Sequence, residues 1–323
     1  MVKLKDKIKT ALGEGRMLML GSQILVGFQY RSVFEPGFEK LSYPSQFLKV
    51  CGLGMMLIAT ALLIWPGAYH RIVAEGRDST DVHQFITRVM CFALLPFALA
   101  FGIDAYVVTD MMYGHTTGIV FGACVTVTAL LFWYGIEALR REKRKSKEDR
   151  MKASSGDSQT GGTKLKDKIE QVLTECRVVL PGAQALMGFQ FATFLQQAFE
   201  KLPQSSKTVH VISLCLMALS VILLMAPAAY HRIVEEGEDT EHFHSIASRL
   251  LIAAMVPLAL GMSGDFFIVV RKVTESTTGA IVASLALLLI FYGLWFGYTS
   301  YRRIQEQGPE QRRRRRSGEL VKE

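Results

Sequence analysis

Hydrophobic residues in this chain come in long unbroken runs, and the polar residues between them come in dense clusters. Between Cys51 and Tyr69 there is no charged residue, and none lies between Val89 and Ile103. About 20 mostly apolar residues in a helix cross the hydrocarbon core of a bilayer. Once their polar ends reach the interface, these runs qualify. The pattern predicts spans at 16–34, 47–72, 82–109 and 116–139, and again at 177–195, 208–233, 243–270 and 277–302. The first of each set is interrupted by glutamines, Gln23 and Gln29 in one and their counterparts in the other.

The second set echoes the first at an offset of 161 residues. Lys3 to Ile8 recurs as Lys164 to Ile169, Gly27-Phe28-Gln29 as Gly188-Phe189-Gln190, and Ala68 to Val73 as Ala229 to Val234. Some two-fifths of the positions from Lys3 to Gly118 are identical to their counterparts, without a gap, as a tandem duplication requires. Ahead of the first span, Leu4, Ile8, Ala11 and Leu12 make an apolar stripe among lysines. Leu165, Ile169, Val172 and Leu173 repeat it, and both read as short amphipathic surface helices. The expected fold is therefore all-α: a polytopic membrane protein of eight transmembrane helices, arranged as two parallel four-helix repeats. The expected organisation is a first repeat at 1–141, a flexible basic and polar linker at 142–163, a second repeat at 164–303 and a basic disordered tail at 304–323.

Charge sets the orientation. The formal net charge of +8 is concentrated at the N-terminus, in the linker and in the arginine run Arg312–Arg316, whereas the loop 110–117 holds no Lys or Arg. An even number of spans puts all three basic stretches on one side, which the positive-inside rule assigns to the cytoplasm. The same clusters predict contact with anionic headgroups on that side and no specific nucleic acid. Five scattered cysteines without a CxxC spacing predict neither a disulfide framework nor a zinc site.

These motifs carry a resemblance. With Gly27-Phe28-Gln29, Pro66, Ala68-Tyr69-His70-Arg71 and Asp104, and partners Gly188-Phe189-Gln190, Pro227, Ala229-Tyr230-His231-Arg232 and Asp265, the chain resembles an uncharacterised family of small bacterial membrane proteins. Its members usually carry one four-helix unit. The resemblance implies a bacterial cytoplasmic membrane and pairing of the two repeats, and it implies no activity.

Two groups of polar residues could carry chemistry. Asp104 and Asp265 lie late in the third spans, in apolar company, where a carboxylate costs roughly 3 kcal/mol and normally has a partner or a task. Gln29, Gln190 and Arg31 should reach the same depth, which makes an ion or proton site or an interhelical packing bond. At the opposite end, His70, Arg71, Glu75, His83 and Arg88, with His231, Arg232, Glu236, His244 and Arg249, are expected to gather as one corner per copy. Such a corner suits a phosphate or lipid headgroup, or basic side chains that snorkel to the interface. Metal or haem ligation is the remaining chemistry, and no cofactor is expected. No P-loop, HExxH or GxSxG motif is present, so the sequence predicts no enzyme. Two functions stay open: a small ion, proton or solute transporter or channel-like protein, and a non-catalytic membrane scaffold or lipid-binding accessory subunit.

Overall fold

The computed structural model describes residues 4–73, 80–135, 165–233 and 240–305, and among these every regular element is helical. Eight long helices follow in order: α1 Leu4–Ser32, α2 Tyr43–Ile72, α3 Thr80–Tyr113, α4 His115–Leu130, α5 Leu165–Thr193, α6 Gln204–Ile233, α7 Glu241–Thr274 and α8 Thr277–Tyr292. Six of them, α2, α3, α4, α6, α7 and α8, are long and apolar enough to cross a bilayer. That is the build of a multi-pass membrane protein. The expected linker at 142–163 and the tail beyond 305 lie outside the described residues.

Local chemistry explains the boundaries. Ser42 caps α2 by accepting from the Ser45 amide, and Pro44 occupies the first turn, where its missing N–H costs nothing. Thr240 caps α7 through the Phe243 amide at 3.0 Å, and Ser276 caps α8 through the Gly279 amide at 3.1 Å. The hinges between third and fourth helices need a positive φ: Gly114 has φ 88°, and its counterpart Glu275 has φ 54°. Glycine takes that conformation freely, while Glu275 bears the usual left-handed strain.

One expectation is corrected. The sequence pattern separates the amphipathic segment from the first span, yet α1 and α5 each run unbroken for 29 residues. Gly13 and Gly15 weaken the first of these by about 1 kcal/mol each relative to alanine, which is not enough to end a helix.

The two sets of helices meet along α1 and α5, which pack lengthwise against each other at the centre. Each central helix also lies on its own second and third helices. The arrangement is not symmetric beyond that. α8 and its wide turn Gly293–Tyr298 cross onto α2 of the first set, whereas α4 packs on α3 and leaves most of its surface exposed. Trp295, fully buried, fixes the crossing by donating its indole N–H to the Ala61 carbonyl at 2.9 Å.

Candidate functional site

In the first set, α3 carries Asp104 to a point where α1 and α2 converge. Lys49, near the start of α2, donates to Asp104 Oδ1 at 2.7 Å, and Gln29 of α1 donates to Oδ2. The lysine side chain is 14% exposed and the carboxylate 28%, so this is a largely sheltered, closed ion pair. Antiparallel helices make it possible: α2 begins at the end where α3 finishes. Arg31 is not part of it. Its guanidinium turns to Glu35, four residues on, at 3.1 Å. The cation beside Asp104 is therefore Lys49 and not Arg31, which the sequence places at the same depth.

The second set repeats the carboxylate and the amide but changes the cation. Gln190 of α5 donates to Asp265 Oδ2 at 2.7 Å, and Asp265 is 8% exposed. The position equivalent to Lys49 is His210. Its Nδ1 lies 3.0 Å from the hydroxyl of Tyr30, which comes from α1 of the other set, and the ring also faces the Gln190 main-chain carbonyl. The Tyr30 hydroxyl also lies near enough to Asp265 to act on its charge. Asp265, Tyr30 and His210 thus lie in line, with Tyr30 reaching in from the other set. A void of about 10 Å³ borders Asp265 and Tyr30 and is closed by Val26, Leu57, Leu186 and Phe266. That is room for about one water. Asp265 Oδ1 has no hydrogen-bond partner among the described residues.

The Gly-Phe-Gln motifs place these groups. A Cβ on Gly27 would stand 2.0 Å from the Phe189 ring, so only glycine lets the two motifs pass this closely. Phe28 and Phe189 pack with centroids 4.6 Å apart. A Cβ on Gly182 would likewise strike Gln23, which is buried in the α1–α5 seam. Both motifs therefore end in a carboxylate donor, while only the first begins with a glycine that the crossing requires.

At the opposite end, where one corner per copy is expected, the described residues give only part of each corner. His70 is buried, and Arg71 reaches His244 of the other set, Nη1 to Nε2 at 3.3 Å. Tyr69 stacks on Phe85 at 3.9 Å, and His231 packs against Phe243 at 4.6 Å. Arg88 and Arg249 point to the exterior. Glu75 and Glu236, and the side chains of His83 and Arg232, lie outside the described residues. Basic groups do collect here, but the described contact between them crosses from one set to the other. Among the described residues no three His, Cys, Asp or Glu side chains are placed to hold a metal ion.

The sequence pattern does not single out Lys49, His210 or Tyr30. The first two carry a signal all the same: both copies place a base at the same position, just inside an otherwise uncharged run. Tyr30 carries none, because its counterpart is Phe191 and its role depends on how α1 meets α5.

The chain belongs to a family of unknown function, DUF6328, whose model matches it twice, over residues 3–137 and 158–299. The two matches take in all eight long helices, as two tandem copies of an uncharacterised domain would. No curated protein and no solved structure matches it.

Proposed function

We propose that the protein is a small proton-handling transporter or channel-like protein with eight spans and cytoplasmic termini, in a bacterial cytoplasmic membrane. The two spans beyond the six most apolar helices are α1 and α5. Their polar residues Ser22, Gln23, Gln29 and Gln190 are buried against neighbouring helices, so a low mean hydropathy does not put those groups in lipid.

One observation carries the reading: Asp265 is buried at the junction of the copies, with a tyrosine and a histidine in line and no fixed cation such as Lys49 beside it. A small approach of the Tyr30 hydroxyl to Asp265, over the void that both border, completes a chain that can be written in two directions. In one, a protonated Asp265 donates to the Tyr30 oxygen, and the Tyr30 hydroxyl donates to neutral His210. In the other, protonated His210 donates to Tyr30, and Tyr30 donates to the Asp265 carboxylate. Passing between them moves one proton from Asp265 to His210, both of the second set, through a tyrosine of the first. A histidine or a carboxylate inside a bundle suits such a relay, and a lysine held in a salt bridge does not.

A second reading rests on a different observation. The void beside Asp265 admits about one water, and Asp104 ends in a salt bridge, which suits a rigid non-catalytic scaffold or lipid-binding subunit. Proton flux in proteoliposomes separates the two. Wild type should acidify or alkalinise the lumen under an imposed gradient, Asp265→Asn should abolish this, and a Lys49→Met/Asp104→Asn double variant should retain it. Absence of flux in correctly inserted wild type excludes transport and leaves the scaffold.

A further inference from the structure

At the end of the molecule that the charge rule places outside, an open groove of about 470 Å³ runs between the α1–α2 connection, the short helix Gln197–Glu200 and the start of α6, and the end of α7. Three cations line it: Lys201, Arg271 and Lys272. Lys201 is paired with Glu39 at 3.1 Å. The other two make no salt bridge among the described residues, although Glu39 lies near enough to Lys272 to act on its charge and Glu275 lines the same groove, which leaves three cations against two carboxylates. Arg271 donates to the hydroxyls of Ser205 and Ser206, at 2.6 and 3.3 Å. Lys272 lies over the rings of Phe38 and Phe34, at 4.9 and 5.8 Å from their centroids. The first turn of α6 opens beside the groove at Ser206, and helix N-termini favour anions.

The first copy provides an internal contrast. Its positions equivalent to Arg271 and Lys272 are Asp110 and Met111, and there Ser45 donates to Asp110 at 2.8 Å. The serine is kept while the charge across from it is reversed. The contact that fastens the helix ends therefore needs a polar partner of either sign, so the packing does not explain a basic pair. Guanidinium forks and ammonium groups held beside hydroxyls bind phosphate oxygens.

We infer that this groove binds a phosphate group through Arg271 and Lys272, assisted by Ser205 and Ser206. The phosphate comes either from a lipid headgroup in the outer leaflet or from a free phosphate in solution. The site is independent of proton movement. It would serve a transporter as an outer recognition site and a scaffold as a lipid anchor.

The test uses the full chain in nanodiscs and reads the rate at which an amine reagent labels individual lysines. Three conditions are compared: discs of the phosphate-free lipid digalactosyldiacylglycerol alone, the same discs with added inorganic phosphate, and discs of digalactosyldiacylglycerol mixed with phosphatidylglycerol. Slower labelling of Lys272 with inorganic phosphate assigns the groove to a free anion. Slowing only in the phosphatidylglycerol discs assigns it to a headgroup. In both cases the exposed Lys40 should label at an unchanged rate. Equal labelling of Lys272 in all three conditions overturns the inference, and this measurement needs no variant. Lys272→Met, which installs the residue the first copy already has, combined with Arg271→Gln, should weaken the retained interaction about tenfold or more, while Lys40→Gln leaves it unchanged. Equal affinity in wild type and the double variant also overturns it.

Discussion

The two copies start from the same carboxylate and the same glutamine, and they part where Lys49 aligns with His210 and Tyr30 with Phe191. Lys49 turns the Asp104 site into a closed ion pair, whose charge is balanced within one copy. His210 leaves Asp265 without a fixed counter-charge and hands the hydrogen bond to Tyr30, a residue of the other copy. A duplicated unit can keep one copy as a strut and release the other for a titrating role. Burial follows the same division. Asp104 remains partly exposed beside its lysine, whereas Asp265 sits deep in the seam where a lone carboxylate is expensive.

The largest effect should come from neutralising each aspartate in turn. Asp104→Asn leaves Lys49 charged and unpaired in a sheltered position. Breaking a fully buried pair in this way costs more, but with the exposure that remains the loss should be about 2–3 kcal/mol. Asp265→Asn removes a buried acid and keeps an acceptor and a donor for Gln190 and Tyr30, so stability should stay within about 1 kcal/mol of wild type. Thermal unfolding in detergent measures both. If Asp265→Asn is the more damaging of the two, Asp265 is a structural strut as well and the contrast between the copies collapses.

Exchanging the cations sharpens the comparison further. His210→Lys would give copy two the closed pair of copy one, with a permanent charge facing Asp265 and no second direction for the chain. Proton flux should fall about a hundredfold or more, the low end of what a lost acid–base group commonly costs. The reciprocal Lys49→His should leave flux through the Asp265 chain intact. A His210→Lys protein that still conducts like wild type would remove histidine from the pathway.

What the two copies share is legible in the amino-acid sequence, and what sets them apart is not. A carboxylate inside an apolar run marks itself by its cost, and equal depth on neighbouring outward-running helices points to Gln29 and Gln190 as its partners. Arg31 is a reasonable candidate by depth, but an arginine at a helix end finds a glutamate four residues away with less distortion than it needs to turn inward. Lys49 reads as the edge of a span, because hydropathy counts where charge stops and not which helix end lies beside which. The contacts that join the copies are the least legible. Tyr30 with His210, Arg71 with His244 and Trp295 with Ala61 depend on the crossing of α1 with α5 and of α8 with α2, and no periodicity within one helix encodes a crossing.

That crossing gives the next test, because the glycines on its two sides are not equivalent. Gly27 has the Phe189 ring where a Cβ would go, and Gly188 has nothing within 4 Å. Gly27→Ala must displace the ring and should cost about 1 kcal/mol, at the low end for overpacking because the ring can swing aside. Gly188→Ala should be neutral, or stabilising by up to about 1 kcal/mol from helix propensity. Unfolding temperatures of the pair measure the asymmetry directly. Equal losses at both positions would mean that the motifs meet symmetrically, with each glycine under the other copy's phenylalanine.

The smallest effect belongs to Arg31, and its smallness is the point. Its guanidinium is partly exposed and bound to Glu35 four residues along the chain, a pair that contributes about 0.5 kcal/mol or less. Arg31→Ala should therefore leave both stability and proton flux close to wild type. Since copy two already has Ala192 at this position, the substitution makes the copies more alike where their difference carries nothing. A drop comparable to that of Asp104→Asn would instead show that Arg31 reaches the carboxylate from time to time. Asp104 would then have two cations to choose between, and the first copy would no longer be the fixed member of the pair.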